Sequence, residues 1–206
     1  MLEKINEIVD FWFQQKEITS SEMPFVPERH WSLSHVSSDD AFKTFEKVYY
    51  LAVNQELQFW LEQPKSCLAF ILLVNELAPR LHRDSPLTYE HSHLAVEAAD
   101  YGRAHKLDKE LPLIQRYFFY RPYACSEDIN AQKLSLKLMS QLVKEAKQHK
   151  KIPKSLIMFL EAHYSQQVDH YDTILSFGRF PQRNNILERE STQEELLFLG
   201  LPNNRF

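Results

Sequence analysis

The sequence contains only three glycines among its 206 residues. This scarcity argues against folds that need many tight turns. A doubly wound α/β protein usually places glycines in the turns between its strands and helices. Valine and isoleucine, which favour strands, are also sparse beside leucine, alanine, glutamate and lysine, which favour helices. We therefore expect no central parallel sheet.

Cysteine is scarce as well. The chain has two, Cys67 and Cys125, which are too few and too far apart for a disulfide framework. The first residues, MLEKINEIVDFWF, lack the basic and apolar blocks of a signal peptide. These features predict a soluble protein of the reducing cytoplasm. The longest apolar run, CLAFILLV, is far shorter than a membrane span, so we expect no membrane partner.

A strong charge of one sign is also missing. The formal net charge is −4 and the sequence pI is about 6.1. A nucleic-acid-binding protein needs a basic face to meet the phosphate backbone. This charge argues against a general basic face, although it does not exclude a local basic patch, so we expect no nucleic-acid partner.

Apolar residues recur with the period of a helix in two long stretches. In EDINAQKLSLKLMSQLVKEAK, the residues Ala131, Leu134, Leu138 and Leu142 form a single apolar stripe. The stretch PKSLIMFLEAHYSQQVDHYDTILSFG repeats the pattern. We predict further helices over 2–15, 39–62, 65–78, 88–105 and 110–121.

Capping residues mark the ends of the later helices. Ser126 is expected to cap a helix that starts one residue later, and Pro153 suits the first turn of the next helix. Gly178 suits the position after that helix, where the backbone is left-handed. Thr192 and Glu195 form a T-x-x-E capping box for a last short helix.

These elements predict a single all-α domain over residues 1–206. About seven or eight helices joined by short turns are expected to stack as antiparallel pairs. Residues 16–37, which include two prolines, form the longest stretch predicted to be irregular.

The nine histidines do not have metal-binding spacings. His91 and His93 point to nearly opposite faces of a helix. His163 and His170 share a face, but about 10 Å of helix separates them, whereas a bond to zinc is about 2 Å long. The sequence also lacks Walker, GxGxxG and GxSxG motifs. We expect neither a metal nor a cofactor.

Two other features have a structural and a functional interpretation. Cys125 could be a nucleophile near a helix start, but a buried cysteine is more often a small apolar filler. The aromatic run YFFYRPY, residues 117–123, could line a pocket or stack on bases, but the acidic charge of the whole chain favours core packing over binding of nucleic acid. We favour the structural interpretation of both.

The stretch ILSFGRFPQRN, residues 174–184, has the same ambiguity. Arg179 and Arg183 follow a helix end, where arginine often binds the last free carbonyl groups. The same two guanidinium groups could instead clamp a carboxylate or phosphate, with Asn184 adding donors. From the residues alone we favour a structural role that closes the fold.

Three stretches together resemble a known family. They are DFWF near the N-terminus, YRPYACSEDINAQKLS in the middle and HYDTILSFGRFPQRNNILERESTQEELLFL near the end. They resemble domain-of-unknown-function family 924, which is found widely in bacteria. The resemblance spans nearly the whole chain. It implies an all-helical fold of the tetratricopeptide-like superfamily and no established activity.

The resemblance carries over residue by residue. In the closing motif the matching residues are His170, Asp172, Phe177, Gly178, Arg179, Phe180, Pro181, Arg183, Asn184, Leu187, Arg189, Ser191, Thr192 and Glu195. In the middle motif they are Tyr120, Pro122, Ser126, Glu127, Asp128 and Gln132. Three positions depart from the family pattern: Cys125 and Gln182 replace histidines, and Glu188 replaces a glycine. The segment LVNELAPRL replaces the family's LLDQFPRN.

We interpret the chain as a binding or interaction module that takes a protein, a peptide or a small anionic ligand in a groove between stacked helices. The alternative is an enzyme acting on a small anionic substrate, in a pocket formed by the Ser-Glu-Asp segment and the FGRFPQRN loop. The candidate ligand-binding residues are Arg179, Arg183, Asn184, Glu127, Asp128, Tyr120 and His170. We also expect Glu127 or Asp128 to pair with Arg179 or Arg183.

Overall fold

The computed structural model describes residues 2–13 and 39–201; the stretch predicted to be irregular, 16–37, lies outside them. The described residues contain no strand, and eight of their α-helices have seven residues or more, so the all-α prediction is confirmed. The α-helices are α1 (Leu2–Phe13), α2 (Asp39–Val53), α3 (Pro64–Ile71), α4 (Ala78–Leu81), α5 (Leu87–Glu90), α6 (Ser92–Ala104), α7 (Leu113–Cys125), α8 (Ile129–Gln148), α9 (Lys154–Phe177) and α10 (Gln193–Leu199). A π-helical stretch, Leu72–Leu77, joins α3 to α4, and 3₁₀ turns span Gln58–Glu62, Leu107–Glu110 and Pro181–Arg183.

The two longest helices, α8 and α9, form an antiparallel pair, because a connection of only five residues, 149–153, joins them and they pack closely. Helix α7 packs against α8 and against α6, while α3 lies against α1, α6 and α7. One cluster of buried apolar side chains runs from α1 to α9. Pairing of neighbouring helices is thus observed, whereas the tetratricopeptide-like classification stays a prediction.

Several predicted helices differ from the observed ones. The helix predicted over 39–62 ends at Val53, because Gln55 has a left-handed backbone, with φ of 63°. The following 3₁₀ turn then brings Trp60 into the core. The helix predicted over 88–105 is divided at His91 into α5 and α6. Helix α7 continues past its predicted end at residue 121 to Cys125. Pro122 lies inside the last turn of this helix, and its neighbour Tyr123 is buried there.

Two glycines are required by their surroundings. A Cβ atom on Gly102 would lie 2.4 Å from the Phe119 ring, so this glycine lets α6 approach α7 closely. Gly178 has a φ of 69°, and its N–H donates to the Ile174 carbonyl oxygen. It ends α9 in the left-handed geometry predicted from the sequence, and the chain turns there into the segment that contains Arg179 and Arg183.

The end of the chain also follows its capping signals. Thr192 and Glu195 form the predicted capping box of α10. Pro153 is the cap of α9 and lies just before the first turn in which it was expected. Across the described ranges, no helix is both long enough and apolar enough to cross a membrane.

Candidate functional site

The start of α8 differs from its prediction. Asp128, not Ser126, is the N-cap residue, and the helix begins at Ile129. The Asp128 carboxylate accepts hydrogen bonds of 2.8 Å from the backbone N–H groups of Asn130 and Ala131. The Ser126 hydroxyl accepts from the Asp128 N–H. Asp128 is therefore a capping residue and does not pair with either candidate arginine.

Glu127 connects this helix start to the closing segment, which we define as residues 178–199. Its carboxylate accepts two hydrogen bonds from Arg189, of 2.8 and 3.1 Å, and one of 2.9 Å from the Phe180 N–H. Partial burial alone would raise the pKa of Glu127, but these hydrogen bonds outweigh it and lower the pKa. The expected link between the two motifs exists, but its principal arginine is Arg189, which was not among the candidates.

Arg179 pairs within the closing segment and not with Glu127. Its Nε and Nη2 donate to the Glu195 carboxylate over 2.6 and 2.8 Å, and Nη2 also donates to the Glu190 carbonyl oxygen. Glu195 is buried and accepts from the Thr192 N–H as well. The hydrogen bonds from Arg179 are the main reason why the pKa of Glu195 is lowered to about 2.

Asn184 lies between these two ion pairs. It is 1% exposed, and its Nδ2 donates to Ser191 and to Glu195 over 3.0 and 3.1 Å. Its Oδ1 accepts from Arg189 Nε over 3.0 Å. We expected Asn184 to offer donors to a ligand, but its amide holds the closing segment together.

Arg183 has different surroundings from Arg179. Its Nη2 donates to the Cys125 carbonyl oxygen over 2.7 Å. Its guanidinium lies between two aromatic rings, 4.5 Å from the centre of Tyr89 and 4.4 Å from that of Phe180. Its Nη1 is 3.9 Å from Glu127 Oε1, which is too long for a hydrogen bond. The predicted pairing of Arg183 with Glu127 is therefore reduced to a charge contact.

Arg183 lines a cleft of about 620 Å³. The cleft lies between residues 86–96, residues 122–127 and the closing segment. Leu87, Val96 and Leu187 contribute apolar walls, while Glu90 and His93 contribute polar groups. Residues 86–96 form one wall of this cleft. The sequence did not predict this wall, because α5 and α6 contain no recognisable motif.

Cys125 also lines the cleft. It is half-buried, and the Asn75 side-chain amide lies 3.9 Å from its Sγ. Cys67, in contrast, is fully buried in α3, and burial raises the pKa of its thiol to about 12. The expectation that Cys125 is an apolar core filler therefore fits Cys67 better than Cys125.

The last two candidates, Tyr120 and His170, do not line the cleft. The Tyr120 hydroxyl donates to Asp108 in the core. His170 Nδ1 donates to the Ala124 carbonyl oxygen over 3.2 Å, and its ring packs edge-on against Phe180. Burial lowers the pKa of His170. Both residues line a separate small cavity of about 20 Å³ between α7, α8 and α9.

Metal ligands do not converge in the parts of the chain that the structure describes. These residues contain no group of three histidine, cysteine, aspartate or glutamate side chains placed to hold an ion.

Comparisons with known proteins agree with this architecture. A solved structure of a protein of unknown function from Agrobacterium tumefaciens is similar to the chain, with a TM-score of 0.72 and 27% sequence identity. The similarity covers 97% of this chain and 98% of the other. No curated protein matches the chain. The model of a family described as bacterial protein of unknown function, DUF924, matches residues 8–203. The chain therefore belongs to the DUF924 family.

Proposed function

We propose that the protein is a cytoplasmic binding module whose ligand occupies the cleft between residues 86–96, residues 122–127 and the closing segment. The ligand is a small molecule or the end of a peptide, with an apolar body and a carboxylate or similar anionic group. The observation that carries this proposal is the placement of Arg183 in the cleft wall, between the rings of Tyr89 and Phe180.

The rigidity of Arg183 supports this role. Two aromatic rings and the Cys125 carbonyl oxygen hold the guanidinium, so little side-chain entropy remains to be lost when a ligand binds. Its one hydrogen bond to the described residues occupies Nη2, which leaves other N–H groups for an anion.

The state of the neighbouring acids supports an anionic ligand. Both oxygens of Glu127 are engaged by Arg189 and the Phe180 N–H, so this carboxylate does not compete strongly for Arg183. Glu90 also lines the cleft, but its side chain is exposed and lies 3.8 Å from the His91 ring. The apolar walls from Leu87, Val96 and Leu187 suit the body of the ligand.

An enzyme acting on a small anionic substrate is the second candidate. It is favoured because Ser126, Glu127 and Arg183, from the two motif segments, line one cleft. A reaction also needs a group that can exchange a proton with the substrate. Glu127 has a lowered pKa and occupied oxygens, so it is poorly suited to that task. The geometry therefore supports binding more strongly than catalysis.

Titration calorimetry with 3-phenylpropanoate and its neutral amide, 3-phenylpropanamide, tests the proposal. We expect the carboxylate to bind about tenfold more tightly than the amide, and Arg183→Gln to remove this difference. Arg103→Gln is the matched control, because Arg103 also stacks on a tyrosine, Tyr123, but lies outside the cleft. Equal binding of the two compounds, or loss of binding in the control alone, would contradict the proposal.

A further inference from the structure

The turn between α8 and α9 has a charge opposite to that of the whole protein. Between residues 144 and 154 the chain has five lysines and one acid, although its formal net charge is −4. The five lysines are Lys144, Lys147, Lys150, Lys151 and Lys154. All five are exposed, so they form a basic patch on an otherwise acidic molecule.

The acid in this stretch does not neutralise the lysines. The Glu145 carboxylate accepts a 2.8 Å hydrogen bond from Arg116, whose side chain is buried under α8. Lys147 forms an exposed ion pair with Glu161. Within the described residues, none of the other four lysines forms an ion pair. Most of the positive charge is thus available to a partner.

A groove lies beside these lysines. It has a volume of about 330 Å³ and is lined by α8 and α9. Val143 and Tyr164, which pack against the core, provide an apolar floor. Ser140 and Gln148 add polar groups, and Lys144 and Lys147 contribute positive charge. The groove shares no residue with the cleft at Arg183.

We propose that this lysine groove, defined by Ser140, Val143, Lys144, Lys147, Gln148 and Tyr164, binds a short acidic segment of a partner protein. The segment carries an apolar or aromatic side chain between its carboxylates. The carboxylates meet the lysines, and the apolar side chain covers Val143 and Tyr164. This is a second binding site, independent of the proposed function of the cleft.

An acidic peptide fits better than a nucleic acid or a membrane. The net negative charge of the whole molecule repels a long polyanion or an anionic membrane. A short peptide experiences mainly the local field, because charges are screened beyond about 8 Å at physiological salt. The patch also contains lysine and no arginine, whereas arginine is the residue better suited to phosphate recognition.

Fluorescence anisotropy with a labelled peptide of sequence EDEFEDE tests this site. We expect binding at about 150 mM NaCl that weakens as salt is added. Replacing the central phenylalanine, as in EDEGEDE, should weaken binding about threefold or more, because the apolar floor is then left uncovered.

Matched protein variants locate the site. The pair Lys144→Gln and Lys147→Gln should weaken binding of EDEFEDE about tenfold. The control pair Lys47→Gln and Lys106→Gln removes the same charge from exposed positions elsewhere and should change the affinity less than about twofold.

Several results would overturn the proposal. They are a failure of EDEFEDE to bind, equal binding of the two peptides, or equal effects of the two lysine pairs. Tighter binding of a single-stranded oligouridylate or of phosphatidylserine vesicles at the same salt would also overturn it and assign the patch to a phosphate partner.

Discussion

Arg179 and Arg183 lie four residues apart in the closing segment, yet they face different surroundings. Arg179 donates to a buried carboxylate, Glu195, that belongs to the same segment. Among the described residues the Arg183 side chain donates only to a carbonyl oxygen; it also contacts two aromatic rings, has the Glu127 carboxylate no closer than 3.9 Å, and lines the cleft. Because a guanidinium with a close carboxylate partner is already neutralised, only the second arginine is suited to a ligand.

The comparison divides the closing segment into two parts. Arg179, Asn184, Arg189 and Glu195 form a connected polar network that, through Arg189 and Glu127, attaches the segment to the start of α8. Within the described residues, the Arg183 side chain makes no hydrogen bond to this network. A short motif can therefore contain structural residues and a candidate ligand contact side by side.

The largest loss of stability is expected from Asn184→Ala. This change removes three hydrogen bonds and leaves the buried Glu195 and the half-buried Arg189 with fewer partners. We expect the free energy of unfolding in urea to fall by about 3 kcal/mol. The exposed neighbour Asn185 provides the control. Asn185→Ala should change the free energy of unfolding by less than about 0.5 kcal/mol. Similar values for both variants would show that the network is not structural.

A smaller loss is expected from Glu127→Gln. Glu127 is half-buried. The substitution removes its negative charge, which attracts Arg189, and replaces one of its two acceptor oxygens by an NH₂ group. We expect a loss of about 2 kcal/mol in urea unfolding, and a smaller loss than the sum when it is combined with Arg189→Gln. Asp128→Asn, next to it, keeps the helix cap and should cost less than about 0.5 kcal/mol. An additive double variant would mean that the two residues do not interact.

The pH dependence of stability should reveal the lowered pKa of the Glu195 carboxyl group. Its pKa is lowered to about 2 in the folded protein, against an ordinary value of 4.5. A lowered carboxyl pKa stabilises the folded state above the ordinary pKa, and this contribution is lost as the pH falls towards the folded pKa. The difference in unfolding free energy between the wild type and Glu195→Gln should therefore be constant above pH 4.5 and shrink between pH 4.5 and 2. A difference that stays constant over this range would show that the Glu195 pKa is not lowered.

The smallest loss of stability is expected from Arg183→Lys. Lysine keeps the positive charge but loses part of the stacking on Tyr89 and Phe180, so we expect a loss of less than about 1 kcal/mol. Arg179→Lys should lower the melting temperature more, because lysine cannot donate two parallel hydrogen bonds to Glu195. The reverse order of the two melting temperatures would assign the structural role to Arg183 and weaken the case for the cleft as a ligand site.

Particular residues show how far the sequence could predict the site. Gly178 and the capping box of Thr192 and Glu195 were predictable, because each depends on a backbone geometry that its own residue type favours. The contact between Glu127 and the closing segment was predictable from the two motifs, but its arginine was not. Arg179, Arg183 and Arg189 are equivalent by charge and proximity in sequence, and only their positions in space decide which one meets Glu127.

The sequence by itself determined the all-α class, the end of α9 and the start of α10. These features depend on composition, on the helical repeat of apolar residues and on local capping, which act over a few neighbouring residues. Only the tertiary structure decided that residues 86–96 face Cys125 and Arg183 across a cleft. It also decided that the carboxylate of Glu145 turns towards Arg116 and leaves the nearby lysines exposed. Such contacts join residues far apart in the chain, and their geometry depends on how whole helices pack.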